Sequence, residues 1–420
     1  MYTDIVNPYP PAFIYFLSLF AKMFGYSPLP YKILTMAAIT LIDLSIFYVV
    51  LKITKNLKQA IFPIIFFSLV SIPFGVNGLW FDLVQTPLIL FSLYFFYKFL
   101  IDPKQKNLLL FSSTLITAAF FIKQQTLWII AFQALYFILH FKNKALDQFT
   151  KNYKVLVPPA LVLTVHVGFM FQQSLLKDFL FWTIYFPFFK ASSVSGYILL
   201  PTVKQAAIVV ALFAAFVPLF ISRKINERFF IFASLVLLFF AYPRFDYFHL
   251  IPALAVLSVA VPANITVFKN SKLPMSMAIG ALILLLVLTA RYISRNVTQE
   301  VRFFEKDVYQ SSQTLNDQTT KSDLVYMQNA PDQLLPLADR LPPKPWIDDF
   351  PWYLEIGNEQ DKLLDGIISQ NPKYVVFETY KNGNQNDLGV YRPQRVVKYL
   401  DMNYQTKTIL NNDLILKIKK

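Results

Sequence analysis

The fold class follows from residues 29–53, which read LPYKILTMAAITLIDLSIFYVVLKI and whose only charges are Lys32, Asp43 and Lys52. A helix rises about 1.5 Å per residue, so a run of this length crosses the roughly 30 Å hydrocarbon core of a bilayer. The apolar residues are continuous and do not alternate with polar ones, which favours a helix over a strand of a β-barrel. The stretch therefore predicts a membrane-spanning helix.

Runs of the same kind recur on the C-terminal side, separated by short polar loops. The whole chain is 55% hydrophobic and 15% charged, with a mean hydropathy of +0.46, which is too apolar for an ordinary soluble domain. The expected fold class is a polytopic α-helical membrane protein with a C-terminal α/β domain. The predicted spans are residues 29–53, 59–76, 82–100, 108–122, 126–141, 156–174, 201–221, 228–241, 248–265 and 274–292.

The net charge of +14 is unevenly distributed along the chain. Residues 1–295 carry 24 Lys and Arg against 8 Asp and Glu, whereas residues 296–420 carry 15 against 17. The basic excess therefore belongs to the membrane half and indicates topology, not a nucleic-acid partner.

The basic residues fall mainly in one set of alternate loops, which the positive-inside rule places in the cytoplasm. The other loops and the tail are then expected outside the cytoplasmic membrane. The cytoplasmic set comprises Lys52, Lys55, Lys58, Lys98, Lys104, Lys106, Lys142, Lys144, Lys151, Lys154, Arg223, Lys224, Arg228, Lys269 and Lys272. The outer set comprises Lys123, Lys177, Lys190, Lys204 and Arg244.

The N-terminal segment fits this arrangement in three ways. Residues 1–28 could be translocated as a short tail. An upstream span missing from this chain would make residues 1–28 the remnant of an outer loop, with a helix over Ala12–Gly25 lying at the membrane surface. If residues 11–27 instead cross the membrane, the later spans keep their orientation and Asp4 moves to the cytoplasm.

The polar tail predicts a separate α/β domain, so the expected domains are residues 1–28, 29–292 and 293–420. Its strands are expected at Leu324–Met327, Tyr374–Phe377, Gln405–Leu410 and Leu414–Ile418, and a loop at Asn382–Gly389. Its helices are expected at Pro331–Arg340, Asp361–Gln370 and Pro393–Asn403.

Charged residues cluster at the outer ends of the spans, where each is costly and needs a reason. A carboxylate there can act as general base for an acceptor hydroxyl, and cations can hold a lipid-borne phosphate. Asp82, which begins a span and is expected to point toward outer water, and Asp4 are the predicted catalytic residues. Lys123, Arg244 and His249 are the predicted phosphate ligands, with Asp246 and Gln124 in support.

Each of these residues also has a purely structural explanation. Asp82 would cap its helix, Lys123 would reach the interface, Arg244 and Asp246 would pair with each other, and His249 would be an ordinary interface histidine. The sequence contains no cysteine, which excludes thiolate metal sites and disulfides. It also contains no Gly-rich phosphate loop, so a nucleotide site lacks its usual signature.

Four segments resemble bacterial GT-C glycosyltransferases, the group related to protein O-mannosyltransferases and aminoarabinose transferases. Tyr2–Pro11 followed by Phe20–Gly25 resembles the end of the family's first outer loop, and Trp80-Phe81-Asp82 with Pro87 resembles the span that bears its second outer aspartate. Ala119–Gln124 resembles its outer lysine motif, and Tyr242–Ile251 its late Arg/His turn. In the tail, Leu337–Pro343 and Phe350–Tyr353 resemble the family's extracytoplasmic domain.

The resemblance implies sugar transfer from a polyprenyl-phosphate donor, usually with inversion, to a glycan, lipid or protein acceptor at the outer face of the cell membrane. It places the family's catalytic acid in the first outer loop, where Asp4 is the carboxylate that this chain retains. No cofactor is expected, and a divalent metal stays open. The alternatives are a transporter or flippase and a lipid-linked polysaccharide polymerase or ligase.

Overall fold

The computed structural model describes most of the chain. The described residues are 5–6, 8–194, 197–214, 216, 219, 225–268, 272–296, 304–347, 353–354, 356–378, 394–411 and 414–420. Several predicted features lie outside them: Asp4, Arg223, Lys224, Lys269, the loop at 382–389 and residues 350–352 of the tail motif.

Helices dominate the first 296 residues, and each predicted span overlaps at least one of them, which confirms the helical prediction. Within the described chain, four are long and apolar enough to cross a membrane: Pro28–Thr54, Leu57–Phe74, Phe81–Ile101 and Tyr153–Gln172. The second and the fourth range each include a 3₁₀ turn next to the α-helix, Ile72–Phe74 and Tyr153–Leu156. The total of ten spans stays a prediction. In chain order the helices are Ala12–Phe24 (α1), Pro28–Thr54 (α2), Leu57–Ser71 (α3), Phe81–Ile101 (α4), Lys106–Ile122 (α5), Leu127–Phe141 (α6), Ala145–Lys151 (α7), Val157–Gln172 (α8), Leu176–Leu180 (α9), Val203–Ala214 (α10), Ile225–Leu237 (α11), Ile251–Val259 (α12), Val261–Phe268 (α13) and Lys272–Asn296 (α14).

Helices α4, α5 and α6 are joined by neutral polar side chains in the bundle interior. Ser92 Oγ lies 2.9 Å from the Ser112 carbonyl, and Ser112 Oγ lies 2.9 Å from the Ser92 carbonyl. Gln133 Nε2 donates to Ser92 Oγ at 3.0 Å. Such small hydroxyl side chains let helices approach closely where hydrocarbon surrounds them. Because α4 and α5 run in opposite directions, the basic loop 98–106 lies at one end of the pair and residues 81 and 122 at the other.

The outer surface of the bundle is apolar. Large side chains such as Leu29, Ile33, Phe62 and Val165 are exposed, and within α8 only Met170 is buried. Exposed apolar surface on this scale is not tolerated in water and requires lipid around it. The chain is therefore an integral membrane protein.

Helix α1 confirms the helix expected over 12–25 but is too short to span a bilayer. It has 13 residues, against the roughly 20 that a transmembrane helix needs. Phe13 is buried and packs edge-on against Phe81 with ring centroids 5.0 Å apart. Its placement at the membrane surface stays a prediction.

The tail contains a small mixed sheet, and its four strands overlap the four predicted ones. Its strands are Val325–Gln328 (β2), Tyr374–Glu378 (β4), Tyr404–Ile409 (β5) and Leu414–Lys419 (β6), in the order β2-β4-β6-β5, with β2 and β4 parallel and the other pairs antiparallel. Leu334–Ala338 (α16), Glu359–Gln370 (α17) and Gln394–Asn403 (α18) lie at the predicted helices. Three elements were not predicted: Lys306–Gln318 (α15) and the paired short strands Ile5–Val6 (β1) and Trp346–Ile347 (β3).

Candidate functional site

Three side chains predicted as site residues meet at one point. Lys123 Nζ lies 2.7 Å from Asp82 Oδ2, and His249 Nδ1 lies 2.8 Å from the same oxygen. Lys123 Nζ and His249 Nδ1 are themselves 3.0 Å apart. In sequence, Asp82 is 41 positions from Lys123 and 167 positions from His249, so the cluster joins distant parts of the chain around one carboxylate oxygen.

The helix directions bring these three residues together. Asp82 stands in the first turn of α4, and Lys123 follows the last residue of the antiparallel α5. His249 belongs to the 3₁₀ turn Tyr247–Leu250, which leads into α12. Three chain segments therefore end or begin at the same level, and each contributes one charged or titratable group there.

The cluster is buried, which corrects the expectation that Asp82 points toward water. Asp82 and Lys123 side chains are each 1% exposed, and that of His249 is 13% exposed. Lys123 and His249 both contact Oδ2 of the carboxylate, because a donor that is removed from solvent needs an acceptor inside the protein. A helix cap does not describe Asp82 either: the residue in the cap position is Trp80, and its side chain makes no cap hydrogen bond.

Whether Nδ1 of His249 carries a proton decides which of its two neighbours it can bond, Lys123 or Asp82. A lysine ammonium can donate to Nδ1 only when that nitrogen carries no proton, whereas Nδ1 can donate to Asp82 only when it does. The three groups therefore share protons among at least two arrangements. Such a cluster can hold positive charge or take up a proton at the edge of the bundle.

Two neutral residues that sequence reasoning missed complete the surroundings of Asp82. Gln85 Nε2 donates to Asp82 Oδ1 at 3.2 Å, and Thr126 Oγ1 donates to Gln85 Oε1 at 2.9 Å. Gln85 lies three residues after Asp82 and Thr126 three residues after Lys123. For Gln85 that spacing puts its side chain on the same face of α4 as Asp82 and was the available signal. For Thr126 no such signal existed, because Lys123 is extended and lies outside the helix.

Arg244 lies in the same turn as His249 and contacts the segment before α10. Its Nη1 donates to the Tyr197 carbonyl at 3.2 Å, and the flanking backbone pairs with Leu199 through bonds of 3.0 and 2.7 Å. Arg244 is half-buried, so burial lowers the pKa of its guanidinium below the ordinary value. Burial also raises the pKa of the Tyr197 phenol to about 12, so this neighbour stays neutral.

The two supporting residues occupy different places. Asp246 is exposed, and its Oδ1 accepts the N–H of Tyr247 at 2.6 Å, so it begins the 3₁₀ turn that carries His249. Gln124 Nε2 donates to the Pro8 carbonyl at 2.7 Å and thereby fixes the N-terminal segment next to Lys123. Asp4, the other predicted catalytic residue, lies outside the described residues.

Aromatic side chains pack between the chain segments that carry the cluster. Trp80 and Phe248 stack with ring centroids 4.0 Å apart, and Trp80 Nε1 donates to the Gly75 carbonyl at 3.0 Å. Tyr9 packs on Phe81 with centroids 4.6 Å apart. In the described part of the chain, no group of three or more His, Asp or Glu side chains has the arrangement of a metal site.

The fold is similar to that of ArnT from Cupriavidus metallidurans, in one crystal structure bound to undecaprenyl phosphate and in another in the apo state. In each case the TM-score is 0.60 at 10% sequence identity, covering 98% of this chain and 88% of the ArnT chain. No protein-family model and no curated protein matches the sequence. The likeness shows a GT-C-like fold.

Proposed function

We propose that this chain is a membrane glycosyltransferase that moves a sugar from a polyprenyl-phosphate donor to an acceptor at the outer face of the membrane. The observation that carries the proposal is the buried cluster of Asp82, Lys123 and His249 at one end of the bundle, with Arg244 in the chain segment that leads to His249. The GT-C-like fold supports it, because ArnT has been crystallised with undecaprenyl phosphate.

Arg244 is the proposed direct ligand of the donor phosphate. It is the more accessible cation of the group, since Lys123 is 1% exposed and already paired with Asp82. A guanidinium can bind two phosphate oxygens at once, in the geometry that a leaving phosphate requires. Once Asp82 releases it, Lys123 adds a second positive charge, and His249 adds a ring N–H donor; low dielectric strengthens the effect of such buried groups on the developing anion.

The proposed reaction needs one proton acceptor. The acceptor hydroxyl attacks the anomeric carbon, the bond from that carbon to the phosphate oxygen breaks, and polyprenyl phosphate leaves with the bonding electrons. The hydroxyl proton passes to a carboxylate, for which Asp82 and Asp4 are the candidates. Asp82 can serve only after Lys123 leaves it for the arriving phosphate, because both of its oxygens have donors in this structure.

The proposal is tested with purified protein in lipid nanodiscs. The chain is incubated with polyprenyl-phosphate hexoses and pentoses and with a membrane extract that supplies glycan, lipid and protein acceptors, and release of polyprenyl phosphate is measured by thin-layer chromatography. Arg244→Met is expected to reduce release at least tenfold. Arg291→Met serves as the matched control, because Arg291 is an exposed arginine at the end of α14.

The assay also separates the alternatives. A flippase would bind the donor and leave it intact, whereas a polymerase would elongate a lipid-linked chain without transfer to a different acceptor. The proposal is wrong if no donor of the panel is turned over although each binds, or if Arg244→Met and Arg291→Met behave alike.

A further inference from the structure

The segment between α8 and α10 is a helix with two different apolar faces. Helix α9 continues as π-helical turns over Phe181–Lys190. Its inner face packs on the tail, with Trp182 and Phe186 rings 5.8 and 5.7 Å from that of Tyr353. Its outer face is exposed and consists of Leu180, Ile184, Tyr185, Phe188 and Phe189.

The exposed face continues the lipid-facing surface of the bundle. Helix α8 is exposed along nearly all its length, and Val165 at its middle is 64% exposed. The chain turns at Ser174, which has a φ of 56°, and α9 begins two residues later. The apolar surface that bilayer lipid covers on α8 thus reaches the outer face of the following helix without an intervening polar domain.

Basic residues stand at both ends of this face. Lys177 and Lys190 are exposed at its beginning and end, and Lys204 is exposed in the first turn of α10. Among the described residues none of the three takes part in an ion pair, and the only acidic residue in the same stretch is Asp178. Lysines that flank an apolar helical face match a surface of negative headgroups above hydrocarbon.

From this combination we infer that residues 176–190 form a docking surface for the anionic phospholipids of the surrounding bilayer. The helix lies in the plane of the membrane boundary, with Phe188 and Phe189 among the acyl chains and the three lysines beside lipid phosphates.

The docked helix also sets the position of Arg244 relative to the membrane. The residues that follow it, Tyr197 and Leu199, hold the Arg244 turn by hydrogen bonds. A helix anchored in the headgroup layer therefore keeps this cation at the depth of lipid phosphates. This consequence concerns position only and holds whether or not the chain transfers sugar.

The first test measures the depth of the helix. Because the chain has no cysteine, single spin labels can be attached after Phe189→Cys, with Val165→Cys as the lipid reference and Lys407→Cys as the aqueous reference. In phosphatidylcholine vesicles with one-third phosphatidylglycerol, collision rates with oxygen and with a water-soluble nickel chelate are compared. The collision rate of the label at 189 with oxygen is expected to equal that of the label at 165. Its collision rate with the nickel chelate is expected to be several-fold lower than that of the label at 407.

Two outcomes of this test overturn the inference. A label at 189 as accessible to nickel as the one at 407 would place the face in water. A label protected from both reagents would mean that protein covers the face, such as a second copy of the chain. Since Phe189 is 66% exposed, its replacement leaves the core intact.

The second test measures the lipid charge preference. A fluorophore on the same cysteine is quenched by brominated phosphatidylglycerol or by brominated phosphatidylcholine at equal total content. Quenching by the anionic lipid is expected to be at least twofold stronger, and Lys177→Gln, Lys190→Gln and Lys204→Gln together should abolish that preference. The control combination Lys142→Gln, Lys144→Gln and Lys154→Gln should retain it. Equal quenching by both lipids in the parent chain would refute the role of the lysines.

Discussion

Breaking the buried pair of Lys123 and Asp82 is expected to destabilise the protein far more than breaking a surface pair of identical length. At 2.7 Å and an effective dielectric constant of about 20, Coulomb's law gives roughly 6 kcal/mol of attraction, from which the desolvation of both ions must be subtracted. Removing one partner leaves the other buried without its counter-charge, which costs about 3–5 kcal/mol. Asp82→Asn should be the costlier change, because it leaves the buried Lys123 ammonium without a negative charge next to it.

The measurement is a double-mutant cycle on the free energy of unfolding in mixed detergent micelles. The variants are Asp82→Asn, Lys123→Met and their combination, and the expected coupling is at least about 2 kcal/mol. Asp147 and Lys151 provide the control cycle: they are also 2.7 Å apart, but their side chains are 54% and 56% exposed. That helical pair should couple by about 0.3–0.5 kcal/mol. Equal coupling in both cycles would refute the argument that burial gives the Asp82 pair its strength.

Three further predictions concern topology and stability. Reporter fusions at Lys106 and Lys144 should be cytoplasmic and a fusion after Lys420 should lie outside, because basic loops face the cytoplasm; a cytoplasmic reporter at Lys420 would invert the proposed active face. Arg340→Met should lower the melting temperature of the tail by several degrees. The buried guanidinium of Arg340 donates to Thr319 and to the carbonyls of Ala338 and Asp339, and these hydrogen bonds would be lost. The control Arg395→Met breaks an exposed pair with Asp361 and should leave the melting temperature unchanged. Gln133→Leu should lower the free energy of unfolding by about 1 kcal/mol, because Ser92 and Ser112 lose their shared hydrogen-bond donor. The same detergent titration measures this change. An unchanged free energy of unfolding would show that the hydrogen bonds between the two serines suffice.

The membrane helices could be predicted because their signal is local. A continuous apolar run specifies a helix in lipid whatever surrounds it, since no other structure satisfies its backbone there. The missed helix α15 illustrates the opposite case. Its sequence, KDVYQSSQTLNDQ, places only Val308, Ser311, Ser312 and Leu315 in the interior, so its apolar periodicity is weak. The pairing of β1 with β3 joins two-residue strands from opposite ends of the chain, and no local pattern encodes it.

The candidate site was predicted residue by residue, but its geometry was not. Asp82, Lys123 and His249 each stood out as a charged or titratable group at the end of an apolar run. Their convergence on one carboxylate oxygen depends on which helix ends meet, and this is a property of the bundle. For the same reason Asp82 was expected in water, although the Lys123 and His249 side chains cover it.

Stability alone does not explain why this end of the bundle is charged. A buried ion pair can often be replaced by apolar residues without loss, and neutral groups such as Ser92, Ser112 and Gln133 already join α4, α5 and α6. The double variant Asp82→Asn with Lys123→Met therefore decides between two explanations. If the cluster exists for chemistry, this variant recovers much of the stability lost by the single changes, and its rate of sugar transfer falls by two orders of magnitude or more. A full rate of sugar transfer in the double variant would instead show that the cluster has only a structural role. Arg244 and the N-terminal segment would then be the remaining candidates for the reaction.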